Sequence, residues 1–243
     1  MHIPNGLLDP KVSAGASFAA AGVLGFCISK VKQALSALVP ESALAGAGNI
    51  GCNITEGSKK LMSTFAENHI MKMGAIASLI FAAQMFNFPI NNGTSGHLLG
   101  GVIAAIALGP FSGALVIASV LAVQSIFFAD GGLMALGANI INMAVVGSLA
   151  SYYIYYAIHK LIKSDAGFFA GAGIAAFFSV LLASVACSLE ISLSGTIELS
   201  KILPAMASVH AVIGLAEALI TIMALNILRS TGFMLEGKIK IEK

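Results

Sequence analysis

The first two residues, Met1-His2, carry the most chemistry in this chain. A terminal amine, the amide nitrogen of residue 2 and the His2 imidazole can close two successive chelate rings on one metal ion. Three nitrogens then lie in a plane, and one further imidazole completes a four-nitrogen square. That geometry favours Ni(II) or Cu(II) over Zn(II). Initiator-methionine removal requires a small second residue. Histidine is bulky, so Met1 is expected to stay and its amine to remain at the end of the chain. No basic stretch precedes an apolar one at the start, and Pro4, Asn5-Gly6 and Pro10 interrupt it, so no signal peptide is expected.

The elements that position such a chelate are helices in a membrane. Of 243 residues, 58% are hydrophobic and only 10% charged, against about 25% charged in soluble domains. Lipid leaves the backbone only helices or a closed barrel. The apolar runs are continuous and not alternating, so an all-α bundle is expected. Seven transmembrane helices are predicted: Pro10 to Leu38, Met71 to Phe86, Thr94 to Gly109, Phe111 to Phe128, Met134 to Ile158, Ala166 to Cys187 and Pro204 to Leu228. Asp9 is the expected N-cap of the first. The whole chain, 1–243, reads as one transmembrane domain. Within it, 1–9 form an amino-terminal loop, 40–68 a polar cytoplasmic insertion and 229–243 a cytoplasmic tail.

Charge orients the bundle. Lys30, Lys32, Lys59, Lys60, Lys72, Lys160, Lys163, Arg229, Lys238, Lys240 and Lys243 fall on one side of a seven-crossing chain, and only Lys11 and Lys201 on the other. The rich side is cytoplasmic by the positive-inside rule, which puts the amino terminus outside and the carboxyl terminus in the cytoplasm. The three cysteines have no paired spacing, so neither a disulfide framework nor a thiolate site is indicated.

The fourth nitrogen should lie on the outer side. Thr94 or Ser95 can cap the third helix, which would place His97 in its first turn and make it the candidate. Pro4 and Asn5-Gly6 favour a turn that lets the terminal loop fold back and insert toward the bundle. Supporting candidates are Asn5, Thr94, Ser95, Asp130, Asn139, His210 and Glu217. His210 and Glu217 share a face of the seventh helix, where an ionisable group inside a membrane is expensive and faces the bundle interior. Asn142 borders the same outer loop as Asp130 and Asn139. Gln84 and Gln124 are expected to bridge helices, and His69 and His159 to be solvated cytoplasmic-side histidines.

Five motifs occur in order: Met1-His2-Ile3-Pro4, Gly93-Thr94-Ser95-Gly96-His97, Phe128-Ala129-Asp130-Gly131-Gly132-Leu133, Ala135-Leu136-Gly137-Ala138-Asn139 and His210-x-x-x-Gly214-x-x-Glu217. Together they resemble the CbiM/NikM family, the cobalt/nickel substrate-capture (S) components of energy-coupling-factor (ECF) ABC transporters. The resemblance implies a seven-helix membrane protein of the prokaryotic cell membrane whose amino-terminal loop plugs into the bundle and holds the metal. It implies metal ligands at the Met1 amine, the His2 amide and imidazole, and His97. It also implies partners: an ECF transmembrane coupling subunit, cytoplasmic ATPase subunits and a small accessory membrane subunit. The transported metal would be Ni(II) or Co(II), supplied to nickel enzymes or cobalamin synthesis, with no organic cofactor and no nucleic acid. Asn5 stands where the family usually has an acid.

The sequence also excludes chemistry. No G-x-x-x-x-G-K-[ST] stretch is present, so ATP is not hydrolysed by that route. No H-E-x-x-H is present, and His210 with Glu217 does not imitate it, so an intramembrane zinc protease is not indicated. The expected protein is a transport subunit and not an enzyme. The rival is a stand-alone divalent-metal channel or secondary carrier.

Overall fold

The computed structural model describes residues 2–37, 54–90 and 94–234. The Met1 amine, the expected end of the first helix at Leu38, 40–53 of the expected insertion, Gly93 and 235–243 of the tail lie outside the described residues. The elements are α1 (Pro10–Ala37), α2 (Ile54–Gln84), β1 (Phe88–Ile90), β2 (Thr94–Gly96), α3 (Gly101–Leu108), α4 (Pro110–Phe127), α5 (Leu136–Leu161), α6 (Asp165–Leu193) and α7 (Leu199–Ser230). The centre of α5, Ile141–Ala150, is wound as a π-helix.

Local chemistry explains the boundaries. Asp9 caps α1 as expected: its Oδ1 accepts the Lys11 amide at 2.8 Å, and its carbonyl accepts the Ser13 amide at 2.9 Å. Gly109, at φ 90°, separates α3 from α4, and Pro110 opens α4 where no amide donor is needed. Ser164 caps α6 by accepting the Gly167 amide at 3.2 Å. An extra turn precedes Pro204 in α7, closed by the Lys201 and Ile202 amides on the Glu198 carbonyl.

Two expectations need correction. The second helix starts at Ile54, well before Met71. Its polar first half contains Glu56, Lys59, Lys60 and Glu67, good helix formers whose charge had read as loop. Thr94 and Ser95 do not cap the third helix. They lie in β2, which pairs antiparallel with β1 in the register Phe88↔Gly96, Pro89↔Ser95 and Ile90↔Thr94. The helix begins only at Gly101, because Gly100 sits at φ 70°, outside the right-handed region. His97 therefore lies in an irregular segment, 97–100, and not in a helical first turn.

Among the described residues, five helices are long and apolar enough to cross a membrane: α1, α4, α5, α6 and α7. The eight residues of α3 reach only about 12 Å at 1.5 Å per residue, and most of them are buried within the protein. The α3–α4 pair closes tightly: a Cβ at Gly113 would stand 2.7 Å from the Ala105 backbone. The core gathers Ile76 and Ile80 of α2, Ile117 and Leu121 of α4, Met143 of α5, Ile191 of α6, and Ile202 and Met206 of α7. It also holds Ile3 of the amino-terminal loop and Leu99 of the segment before α3.

Candidate metal centre

The amino-terminal loop is inserted, as expected. Ile3 is wholly buried, and burying such a side chain is worth roughly 1.5–3 kcal/mol. Its backbone is read from two sides. The Ile3 amide donates to Asn139 Oδ1 at 2.9 Å, and the Ile3 carbonyl accepts from Asn139 Nδ2 at 3.3 Å and from the Gly132 amide at 2.8 Å. Asn5 Oδ1 accepts the Met134 amide at 3.1 Å. Ser13 on α1 bonds the Met134 carbonyl, and Thr196 Oγ1 donates to the Leu7 carbonyl at 2.7 Å. These bonds seat the loop between the α4–α5 connection and the α6–α7 connection. Gly132 is what lets it in: a Cβ there would stand 2.5 Å from the Asn5 amide nitrogen and 2.8 Å from the Pro4 carbonyl carbon.

His2 is thereby placed in the interior, 3% exposed. Its ring stacks on that of His97, with centroids 4.4 Å apart and 28° between planes. His2 Nδ1 lies 3.0 Å from Asp130 Oδ1, close enough to pair but not aligned as a hydrogen bond. Asp130 is steadied by Asn87, whose Nδ2 donates to its other oxygen at 3.1 Å. The backbone presenting Asp130 turns sharply: Ala129 sits at φ 53° and Gly131 at φ 85°, left-handed conformations that cost an alanine about 1–2 kcal/mol. Gln124 of α4, wholly buried, borders the His2 ring, and its amide finds no well-formed hydrogen bond.

His97 Nδ1 lies 2.7 Å from the Leu98 carbonyl, which fixes the proton on that nitrogen and leaves Nε2 a bare lone pair. No protein group among the described residues pairs with His97 Nε2 or with His2 Nε2. Burial lowers the pKa of the His2 imidazole below its ordinary value of 6.5, an effect partly offset by Asp130. Asp130 in turn is held below the usual carboxylate value: burial opposes this, and the His2 and Asn87 contacts overcome it. The His2 ring is therefore neutral at pH 7, the form that binds metal.

The segment carrying His97 rests on α7 and α2. The Leu99 and Gly100 amides donate to Glu217 Oε2 and Oε1 at 2.9 and 2.7 Å. Gln84 Nε2 donates to the Leu99 carbonyl at 2.7 Å. His210 Nδ1 is 2.7 Å from the Met206 carbonyl, and its Nε2 lies 3.6 Å from where a Gly96 Cβ would stand. Asn142, one turn beyond Asn139, donates to Glu190 Oε2 at 2.7 Å instead of reaching the loop.

The structure thus brings His2, His97, Asn5, Asp130, Asn139, His210 and Glu217 around one locus. Ser95 stands outside it in the hairpin, and Thr94 is placed in the hairpin by its backbone. His69, expected in a solvated loop, lies on α2 with Nε2 2.8 Å from Ser112 Oγ, remote from the locus. Sequence reasoning missed Ile3, Asn87 and the true partner of Gln84, a loop carbonyl and not another helix. An apolar β-branched residue inside a Pro- and Gly-rich loop was the one available signal for Ile3. Among the described residues no three His, Cys, Asp or Glu side chains converge as a metal cluster.

Residues 36–233 match the CbiM family, described as the cobalt uptake substrate-specific transmembrane region. A protein of Archaeoglobus fulgidus named as a fused nickel transport protein, NikMN, is 38% identical over 91% of this chain, which spans 63% of that protein's length. The cobalt transport protein CbiM of Thermosipho melanesiensis is 30% identical over 65% of this chain and 68% of its own. A solved transition metal transporter superposes with a TM-score of 0.76 at 26% identity, covering 98% of this chain and 96% of that one. With five apolar helices and metal-transport relatives, this is a multi-pass membrane protein. The chain belongs to the CbiM family of cobalt uptake substrate-specific transmembrane proteins.

Proposed function

We propose that this chain captures Ni(II) or Co(II) from outside the cell as the substrate-binding subunit of an ECF-type transporter. The observation that carries this reading is the buried, stacked His2–His97 pair, whose Nε2 atoms find no hydrogen-bond partner among the described residues. The ligands would be the Met1 amine, the His2 amide and imidazole nitrogens, and His97 Nε2. A chelate ring closed from the His2 amide uses Nδ1, the nitrogen that faces Asp130. Capture therefore turns the His2 ring about its Cβ–Cγ bond. Nδ1 then meets the ion and Nε2–H is left for Asp130, the carboxylate–histidine–metal pattern that orients a ligand. Nitrogen donors disfavour oxygen-seeking Mg(II) and Ca(II), whereas Cu(II) competes in vitro.

In this reading the chain is one transmembrane domain crossing seven times, with the amino terminus outside and the carboxyl terminus cytoplasmic. The helices α2 and α3 supply the two crossings beyond the five apolar helices, α3 with the buried irregular segment before it. The chain is not itself an enzyme. ATP would be hydrolysed by cytoplasmic partner subunits coupled through a transmembrane subunit, with a small accessory membrane subunit assisting. The relatives that are named for nickel and for cobalt support the cargo class and do not separate the two metals.

A channel or secondary carrier is the rival. Uptake of radioactive nickel and cobalt into vesicles distinguishes them. The chain alone should accumulate no metal, and the chain with its ATPase and coupling partners should accumulate it only with ATP. Sustained ATP-independent uptake by the chain alone would overturn the subunit reading.

A further inference from the structure

The segment 97–100 is irregular backbone enclosed in the protein interior, where unpaired amides are costly. Two of its amides converge on one side chain. The Leu99 amide reaches one oxygen of Glu217 at 2.9 Å, and the Gly100 amide reaches the other at 2.7 Å. Glu217 is 1% exposed and Leu99 wholly buried. From the opposite side, Gln84 of α2 holds the Leu99 carbonyl at 2.7 Å. Gly100, at φ 70°, is pressed on Ile80 of α2: a Cβ there would stand 2.7 Å from Ile80 Cγ1. One face of α7 completes the cradle, since a Cβ at Gly96 would stand 2.6 Å from Ile213 Cδ1 and 3.6 Å from His210 Nε2. Both backbone groups of Leu99 and the turn at Gly100 are thus fixed. The direction of His97 follows, because its Nδ1 is tied to the Leu98 carbonyl, which shares a peptide bond with the fixed Leu99 amide.

We infer that Glu217, through the Leu99 and Gly100 amides, is the positioning residue that aims His97 Nε2 at the captured ion. Gln84 is its counterpart on α2. This rests on the proposed role of His97 as the fourth ligand. It assigns Glu217 no contact with the ion. A carboxylate suits the task because it accepts two amides with two oxygens and offers no donor. In Glu217→Gln one of those positions becomes an NH2 group that faces an amide proton. The consequence is specific: Glu217 matters for metal binding only when His97 is there to be aimed.

The test is a double-mutant cycle on the full chain in detergent, titrated with Ni(II) alone and read by dissociation constant and visible absorption. Glu217→Gln should weaken Ni(II) binding about 10–100-fold, as is typical for loss of a supporting partner. Its absorption spectrum should move to that of His97→Ala, in which the three-nitrogen terminal chelate remains. In the His97→Ala background, Glu217→Gln should change affinity by less than about twofold, because residues acting as a unit are not additive. Gln84→Met keeps the side-chain volume and removes the donor to Leu99, so it should show the same dependence on His97. It serves in place of Glu217→Gln if that variant does not fold. Equal losses in both backgrounds would show a general structural role and overturn the proposal. If His97→Ala itself leaves affinity and spectrum unchanged, the ligand assignment beneath it fails instead.

Discussion

At the scale of the residue, the site depends on burial as much as on ligand chemistry. His2 is neutral at pH 7 because burial penalises its charged form. The sign of the resulting pH dependence is set by which state takes up protons. A released loop exposes the His2 ring at its ordinary value near 6.5, while the folded state holds it lower. Above that value neither state is protonated and the docked loop has its full stability. As pH falls below it, the undocked state binds more protons and docking weakens. Asp130, held below 3.8, adds a second loss only in stronger acid. Thermal unfolding without added metal should therefore show a midpoint that drops between pH 7 and pH 5, and His2→Asn should flatten that drop. A midpoint that rises on acidification would contradict the burial account. The chelating potential of Met1-His2 and the fourth-ligand candidacy of His97 were legible from residue types alone. Asp130 and Asn139 were legible as supports of the inserted terminus, but not that Asp130 meets the His2 ring, because nothing in a linear string measures the distance between residues 2 and 130.

At the scale of the element, the two histidines ride on irregular backbone that side chains of α2, α5 and α7 hold in place. The hairpin β1–β2 and the turn at Gly100 replace the helical start expected at Thr94. That expectation failed because Thr94 and Ser95 are as good in a turn or strand as at a cap, and only the positive φ of Gly100 decides where the helix can begin. The long first half of α2 was missed because its charges mimic a loop. The apolar stretches of α1 and α4 through α7 were legible to within a few turns because their hydrophobic runs are continuous. Gly132 is the element-scale test of loop insertion. In Gly132→Ala the new methyl collides with Asn5 and Pro4, so the amino-terminal loop should leave its seat. Hydrogen exchange of residues 2–8 should rise and bound metal should be lost, while the bundle remains folded. Gly15→Ala on α1, where nothing lies within 4 Å of the added carbon, should change neither. Retained metal and protected loop amides in Gly132→Ala would contradict the packing argument.

At the scale of the whole molecule, the fold seats a short terminal loop among connections of separate helices. Asn139 of α5 and Gly132 before it grip Ile3; Asp130 after α4 meets His2; Thr196 between α6 and α7 holds Leu7; Glu217 of α7 steadies the segment of His97. The family was legible from five ordered motifs because each falls on one of these contacts. The sidedness and the partners were legible only through charge bias and resemblance, since a single chain carries no record of what it docks on. The central claim is that the terminal amine, His2 and His97 together hold the cargo. The most direct test is elemental mass spectrometry of Ni, Co, Cu and Zn bound to purified full chain. The native start is compared with a variant carrying one extra residue before Met1, and with His97→Ala. The account predicts about one Ni or Co per native chain, lost or sharply reduced in both variants. Metal retained at full occupancy in the extended variant would contradict it and move the ligands to interior side chains such as His210.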